Sequence, residues 1–294
     1  MRRRDFLAAG AAAFALPALL RPTPTLAKVP QRLVVAGGAI TEMVYRLGAE
    51  ADLVGVDTTS LYPDATFKLP KIGYFRQLSA EGILSLDPSL LLLSDQAGPP
   101  SIVDKLRHVR LPMVVIPETL AVEHVPQKMR LVAEAIGRKT EGEKQAALLQ
   151  AEIDALGAAV AKLERQPRVL FLMSITDGRL LAGGGATAAE TMIRFAGGRN
   201  AIIGSNGYKP VSAEAAMAAD PDVILISDQS LEAVGGLAGL RSLPQMQALR
   251  AISEKRVVTL EMLYLLGLGP RVARAGRDLA AALHPGADLP RFAS

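Results

Sequence analysis

The chain contains one stretch of sequence twice. Residues 79–96 read SAEGILSLDPSLLLLSDQ, and residues 212–229 read SAEAAMAADPDVILISDQ. The two stretches align without a gap, and nine of their eighteen positions are identical. Each combines a short amphipathic helix, an Asp-Pro breaker, a buried strand and a polar loop. The repetition predicts two lobes of like fold that face each other, and a cleft between such lobes is a place to hold a ligand.

Strands and helices also alternate outside the repeat. Apolar strands are predicted at 32–36, 53–56 and 113–116 in the first half, and at 168–173 and 256–260 in the second. Helical patterns separate them, and a last helix is predicted at 270–283. Such alternation is typical of parallel α/β sheets. The sequence therefore predicts an α/β fold with two similar lobes, each built on a mainly parallel sheet.

A long helical segment lies between the two copies of the repeat. Residues 126–163 are helical with a break at Gly137, and Thr140 with Glu143 predicts a capping box for the second helix. We interpret that helix as a backbone joining the lobes, with a packing helix inside one domain as the alternative. The predicted division is a targeting segment at 1–27, an N-terminal lobe at 28–138, a linking helix at 139–164 and a C-terminal lobe at 165–294.

Residues 1–27 have the pattern of a signal peptide. Arg3-Arg4-Asp5-Phe6-Leu7 is a twin-arginine pattern, and Thr25-Leu26-Ala27 has the small residues of a cleavage site. The apolar run from Phe6 to Leu20 is shorter than the roughly 20 residues that span a bilayer. We therefore expect export through the twin-arginine pathway and a mature chain in the periplasm.

Composition excludes several classes of function. The net charge is +4, and the targeting segment carries +3 of it, so the mature chain is nearly neutral and shows no basic stripe for nucleic acid. The absence of cysteine excludes a thiolate nucleophile, a cysteine zinc site and an iron–sulfur cluster. The three histidines, His108, His124 and His284, are interpreted as surface residues, and no hydrolase or nucleotide motif occurs. We expect no enzyme, and a secreted two-lobed enzyme is the alternative of a different class.

Two tyrosines precede the two copies of the repeated helix, in Gly73-Tyr74-Phe75-Arg76 and in Gly207-Tyr208-Lys209. Both fall in loops predicted at the carboxyl ends of strands, the usual ligand side of an open α/β sheet. The other cleft loops of the second lobe are predicted at 174–178 and 228–236. A loop tyrosine ordinarily anchors packing through its ring and one hydrogen bond. The residues alone leave both interpretations open.

The segment 72–86, IGYFRQLSAEGILSL, resembles the signature segment of haem-binding periplasmic proteins of ABC transporters. Supporting similarity is found at 35–42, 54–60, 97–100, 196–201 and 263–271, so that the resemblance covers essentially the whole mature chain. It implies a helix-linked two-lobe carrier that binds haem (hemin) and delivers it to an importer. The same wider family includes cobalamin and siderophore carriers, so a corrinoid or ferric-siderophore carrier is the alternative.

The resemblance also implies roles for individual residues. Tyr74 would ligate ferric haem iron as a tyrosinate, a known axial haem ligand, and Arg76 would donate to the phenolate or to a propionate. Tyr208 and Lys209 would close over the ligand from the second lobe. Some relatives present a histidine after the first strand of that lobe, where this chain has none, and we expect Met173 there to belong to the core.

Glu81 and Glu214 occupy the same position in the two copies, at the start of equivalent helices. In similar binding proteins one glutamate per lobe meets arginines of the membrane permease, whereas the simpler interpretation is a carboxylate favoured by the helix dipole. The implied partners are haem, an ABC permease dimer in the inner membrane and, upstream, an outer-membrane haem receptor system.

Overall fold

The first sheet is built from strands of the N-terminal half. The structure, a computed structural model, describes residues 31–292. The strands of this half are β1 (Leu33–Ala36), β2 (Leu53–Val56), β3 (Gly73–Tyr74), β4 (Gln77–Leu78), β5 (Leu90–Ser94) and β6 (Met113–Ile116). Four of them form a parallel sheet in the order β2-β1-β5-β6, while β3 and β4 form a separate antiparallel hairpin. The central strands are continuously apolar because both faces of such a sheet are covered.

Helices cover this sheet. They are α1 (Gly38–Arg46), α2 (Ala80–Leu84), α3 (Pro100–His108) and α4 (Val125–Ala135), with short 3-10 helices at Glu50–Asp52, Asp64–Lys68 and Val122–His124. Helix α2 is the helix of the first repeat, and Ser79 caps it by accepting a hydrogen bond from the Gly82 backbone at 3.1 Å. The first copy of the repeat therefore has the predicted order of helix, breaker and strand.

Helix α5 (Lys139–Val160) connects the two halves and has 22 residues. Its buried positions alternate three and four residues apart and line one face: Gly142, Ala146, Leu149, Ile153 and Leu156. Because Gly142 has no side chain, the helix can approach α4 closely at Ala133. The predicted capping box is wrong. The helix begins one residue before Thr140, and Glu143 instead accepts a hydrogen bond from Arg130 at 2.9 Å.

The second half repeats the plan with additions. Its strands are β7 (Arg168–Thr176), β8 (Arg179–Gly183), β9 (Arg199–Asn200), β10 (Tyr208–Val211), β11 (Val223–Ser227) and β12 (Val257–Leu260). Its helices are α6 (Ala188–Phe195), α7 (Ala213–Ala218), α8 (Asp228–Ala233), α9 (Gly236–Ser242), α10 (Pro244–Gln247), α11 (Arg250–Ser253), α12 (Met262–Leu266) and α13 (Val272–Leu283). The sheet order is β10-β8-β7-β11-β12, with β9 beside β7. Here β7, β11 and β12 run parallel, as β1, β5 and β6 do in the first half.

The second sheet is more antiparallel than the sequence predicts. The expected cleft loop at 174–178 is instead the end of β7 and the tight turn of a hairpin with β8. Asp177 and Gly178 form that turn with φ values of 48° and 71°, as an Asp-Gly hairpin turn requires. Strand β10 then pairs antiparallel with β8 and includes Tyr208 and Lys209, which were expected in a loop.

One arrangement recurs at the amino-terminal edge of both sheets. Arg32 donates to the Asp87 carbonyl at 2.8 Å, and the Arg168 guanidinium pairs with the Asp220 carboxylate. Both aspartates precede proline and have positive φ values, 45° and 39°. In each lobe, an arginine at the start of the first strand thus holds the breaker that leads into the repeated strand. The α/β fold with two similar lobes is confirmed.

A single large core runs through both halves. It combines residues of β1, α1, α4 and α5 with residues of β7, β11 and α13, among them Leu33, Met43, Leu149, Phe171 and Leu279, all of them fully buried. Helix α5 packs against α4 on one side and α13 on the other. The two lobes are therefore joined by shared apolar packing as well as by the chain.

Candidate functional site

The β3–β4 hairpin positions Tyr74 and Arg76. Tyr74 pairs with Gln77, which leaves Phe75 and Arg76 at the turn. The Arg76 guanidinium donates a 2.7 Å hydrogen bond to the Tyr74 hydroxyl oxygen and lies 4.5 Å from the centroid of the Phe75 ring. The Tyr74 side chain is 37% exposed, so its oxygen is accessible. The hairpin thus holds a phenol oxygen and a guanidinium within hydrogen-bond distance of each other.

A cavity of about 690 Å³ lies between the lobes, within the range of small-molecule sites. The first lobe lines it with residues 37–39, 58–59, 61, 75–76, 96 and 118–120, and the second with 173, 186–188, 208, 262–263 and 266–268. Phe75 and Arg76 belong to the lining, whereas Tyr74 does not and is connected to it by its hydrogen bond with Arg76. Among the described residues that form the walls, only Arg76 and Glu118 carry a charge. The site therefore offers an apolar space with one free cation.

Tyr208 enters the cavity from the second lobe, on strand β10. Its ring lies edge-on to Phe171, with 6.3 Å between the ring centroids. Burial raises the pKa of Tyr208, while hydrogen bonds from the Ala189 backbone and the Thr187 side chain and the charge of Arg76 oppose that shift. Tyr208 therefore stays neutral at physiological pH. The charge of Arg76 acts on a tyrosine in each lobe.

Lys209 does not line this cavity. It follows Tyr208 in β10, and successive side chains of a strand point to opposite faces of the sheet. The structure thus brings Arg76 and Tyr208 to one cavity and ties Tyr74 to it through the hydrogen bond from Arg76, while Lys209 is exposed.

Met173 lies at an irregularity of strand β7. It interrupts the pairing of β7 with β8, where Leu172 and Ser174 pair with consecutive residues of the partner strand. A bulge of this kind re-aims a side chain. Met173 packs against the core, as expected, and also lines the cavity.

The charge of Glu118 is compensated from below the cavity. Lys128 of α4 is 2% exposed, and its ammonium donates to the Glu118 carboxylate at 2.6 Å. This ion pair was not predicted from the sequence. Its signal was a lysine inside the apolar stripe of α4, between Val125 and Val132, where a charged residue requires a partner.

A second ion pair joins the lobes next to the cleft. The Arg271 guanidinium donates to both oxygens of Glu42 at 2.8 and 2.6 Å, and Glu42 is 4% exposed. Arg271 also stacks between the rings of Tyr62 and Tyr264, 3.8 and 4.8 Å from their centroids. Burial raises the pKa of Glu42, and the hydrogen bond and charge of Arg271 oppose that rise. Glu42 lies on α1 of the first lobe and Arg271 just before α13 of the second, so this pair connects them.

A buried carboxylate organises the loop that forms part of the cavity wall. Asp57 is fully buried and accepts hydrogen bonds from the Gly37 backbone at 3.1 Å, the Thr59 backbone at 3.0 Å and the Ser60 hydroxyl at 2.8 Å. These donors leave the carboxylate satisfied and turned away from the cavity. Asp57 therefore shapes the wall.

Glu81 and Glu214 lie at equivalent places on the surface. Each sits in the first turn of its short helix, α2 or α7, and each is exposed. The Glu214 carboxylate accepts hydrogen bonds from its own backbone and from Ser212, which lowers its pKa. Neither residue lines the cleft.

Residues 31–292 lack two further features. No helix in this range is long and apolar enough to cross a membrane. Nor does this range bring together three or more histidine, aspartate or glutamate side chains that would hold a metal ion.

Comparisons with solved structures point to one group of proteins. The chain is similar to the periplasmic heme-binding protein RhuT from Roseiflexus sp. RS-1 in its apo form, with 40% identity, a TM-score of 0.84 and coverage of 88% of this chain and 100% of that one. It is also similar to the periplasmic heme-binding protein BhuT in complex with two hemes, with 44% identity, a TM-score of 0.80 and coverage of 86% and 99%.

Curated relatives are more distant. A vitamin B12-binding protein from Vibrio campbellii is 23% identical over 74% of this chain and 78% of its own length. An uncharacterized ABC transporter substrate-binding lipoprotein, YvrC from Bacillus subtilis, is 21% identical over 89% and 82%. Residues 33–263 match the family described as periplasmic binding protein. Members of that family carry substrates to ABC transporter permeases outside the cytoplasm, and this two-lobed chain belongs to it.

Proposed function

We propose that this chain is a periplasmic haem-binding protein that delivers haem to an ABC importer. The observation that carries the proposal is the hydrogen-bonded Tyr74–Arg76 pair beside an apolar interlobe cavity. The solved structures with 40% and 44% identity are named as heme-binding proteins, which supports this ligand. The cargo brings its own iron and four nitrogen ligands, so a cleft without a metal-binding cluster suits it.

In this proposal Tyr74 ligates the ferric iron. A phenolate is a hard anionic oxygen and a known axial haem ligand. Arg76 holds the phenolate and is the free cation that can pair with a propionate. Tyr208 contacts the ligand from the second lobe as a neutral phenol, and Lys209 takes no part because its side chain leaves the opposite face of strand β10 from Tyr208.

The test is a titration of the purified chain with hemin. We expect saturable binding with a shifted Soret band and the charge-transfer features of a tyrosinate-ligated ferric haem. The matched ligand is cyanocobalamin, because curated relatives are named vitamin B12-binding proteins. Tight binding of cyanocobalamin without binding of hemin would contradict the haem proposal in favour of a corrinoid carrier. A ferric siderophore is tested in the same way, and release of a chemically altered ligand would indicate an enzyme.

Delivery is proposed to use Glu81 and Glu214. Their equivalent, exposed positions suit contact with basic residues on the two subunits of a permease dimer. Charge reversal by Glu81→Lys or Glu214→Lys is expected to leave hemin titration unchanged and to slow transfer to permease-containing vesicles, most strongly at low salt. If both variants transfer hemin at the rate of the unmodified protein, Glu81 and Glu214 do not dock the permease and are only carboxylates favoured at helix starts.

The cellular setting is proposed as well. The twin-arginine signal peptide at 1–27 lies outside the described residues and remains a prediction, as do the lobe boundaries. Haem would reach the periplasm through an outer-membrane haem receptor system before this carrier binds it.

A further inference from the structure

The exposed apolar residues of the repeat have the same symmetry as the two glutamates. Of the large apolar side chains that are exposed in residues 31–292, two fall inside the repeated stretches. They are Leu84 in the first copy, 37% exposed, and Met217 in the second, 42% exposed. These two residues occupy the same position of the repeat. An apolar side chain is thus left in water at the same place in both lobes.

Each of these residues lies beside the glutamate of its own helix. Leu84 follows Glu81 by three residues in α2, and Met217 follows Glu214 by three residues in α7. Side chains three apart are neighbours on a helix surface. The residue before each apolar side chain, Ile83 or Ala216, is buried in its lobe, so the exposed side of each helix is fixed.

The other positions around each apolar side chain that are not buried carry small residues. Gly82 and Ser85 flank Leu84, and Ala215 and Ala218 take the corresponding places beside Met217. The glutamate and the apolar side chain therefore project beyond their neighbours. Other exposed apolar residues, such as Val109 and Ile203, lie outside the repeat.

We propose that Leu84 and Met217 are the apolar anchors of a paired docking surface, here defined as Glu81, Leu84, Glu214 and Met217. The occupant is the permease dimer, because two equivalent patches on one chain match a partner that presents the same surface twice. Each subunit would offer a basic side chain for the glutamate and an apolar pocket for the neighbouring residue. The glutamates set orientation and association rate, and the apolar anchors add affinity that salt does not screen.

The inference rests on the proposed delivery to a permease and is tested without haem as the readout. The variants are Leu84→Gln, Met217→Gln and the double variant, with Leu237→Gln as the control. Leu237 is 43% exposed and lies in helix α9, outside the repeat. Binding of each chain to its cognate ABC permease complex, reconstituted in lipid nanodiscs, is measured at low and high salt. Hemin titration in solution and thermal unfolding establish that each variant is intact.

Each single variant is expected to bind the nanodiscs about tenfold more weakly, as loss of one half-buried apolar anchor predicts. The salt dependence should be unchanged, whereas Glu81→Gln should reduce it, and the Leu237→Gln control should bind normally. Unchanged binding by either single variant overturns the paired surface. Self-association that the double variant abolishes, with normal permease binding, also overturns it and makes a second copy of this chain the occupant. If the unmodified chain does not bind hemin, the proposal that haem is the cargo is refuted. The permease-binding measurements still test the docking surface.

Discussion

The ion pair between Glu42 and Arg271 is expected to hold the two lobes together. Replacing Arg271 by Met leaves Glu42, which is 4% exposed, without its counter-charge. Breaking a buried pair by removing one partner costs about 3–5 kcal/mol, and loss of the stacking on Tyr62 and Tyr264 adds about 1 kcal/mol. In a chain of this length each kcal/mol lowers the melting temperature by about 2–4 °C. We therefore expect Arg271→Met to melt about 8–24 °C below the unmodified protein.

Thermal unfolding followed by circular dichroism measures this effect. The double variant Glu42→Gln with Arg271→Met should recover at least half of the loss, because it removes the uncompensated charge. Arg107→Met is the matched control, since Arg107 pairs with Asp104 on the surface with both side chains more than half exposed. If Arg271→Met melts within about 2 °C of that control, the pair contributes little to stability and the reasoning is refuted.

The stability loss should also depend on pH. Burial raises the pKa of Glu42 in the folded chain, and Arg271 opposes that rise, so removing Arg271 raises the pKa further. A group whose pKa is raised on folding stabilises the protein below its ordinary value of 4.5 and loses that contribution as pH rises through the folded value. The defect of Arg271→Met should thus be smallest in acid and grow towards neutral pH. A loss that is independent of pH would mean that Glu42 is not the group left uncompensated.

Three further changes test the cleft and the export signal. Tyr74→Phe should remove the tyrosinate charge-transfer features from the hemin spectrum while the melting temperature stays unchanged, and an unaltered spectrum would exclude Tyr74 as the ligand. Lys128→Met should leave Glu118 uncompensated in the cavity and weaken hemin binding by about tenfold, most strongly at low salt, because the propionates are also anionic. Adding Glu118→Gln should restore the hemin affinity. If it does not, the weaker binding results from altered packing around residue 128 and not from the charge of Glu118. Replacing Arg3 and Arg4 together by Lys should leave the precursor in the cytoplasm, and normal periplasmic accumulation would contradict the twin-arginine route.

The sequence predicts the parallel framework well because that framework depends on local signals. Continuous apolar runs such as 90–94 and 223–227 are long enough for buried strands, and the Asp-Pro breakers mark where they begin. The additions to the second sheet were missed although a signal was present. Asp177-Gly178 between two apolar segments is a strong hairpin pattern, and it forms the turn between β7 and β8.

The missed features of the cleft depend on contacts between distant parts of the chain. Arg271 meets Glu42 across more than two hundred residues of sequence, and no local pattern connects them. Lys128 is visible as a charge in an apolar helix stripe, but its partner Glu118 lies in the preceding loop, and only the fold brings the two together. The roles of Tyr74 and Arg76 were predicted from the resemblance of segment 72–86, and the hydrogen bond between them is local, within one hairpin.

The two copies of the repeat are alike in the residues that join the sheets and in those on the outer surface. The two lobes differ in the residues that face the cleft. Residues 79–96 and 212–229 each provide a helix start, an Asp-Pro breaker and a strand in the same order. Leu84 and Met217 occupy the same exposed position in the two copies. The tyrosines lie just outside these stretches, and only Tyr74 is followed by an arginine that donates to its own oxygen. A flat ligand with a single metal needs one strong ligand and different groups on its two faces, whereas a dimeric partner needs the same surface twice. Under the proposed function, symmetry on the outside and asymmetry in the cleft are what one duplicated scaffold requires to serve both contacts.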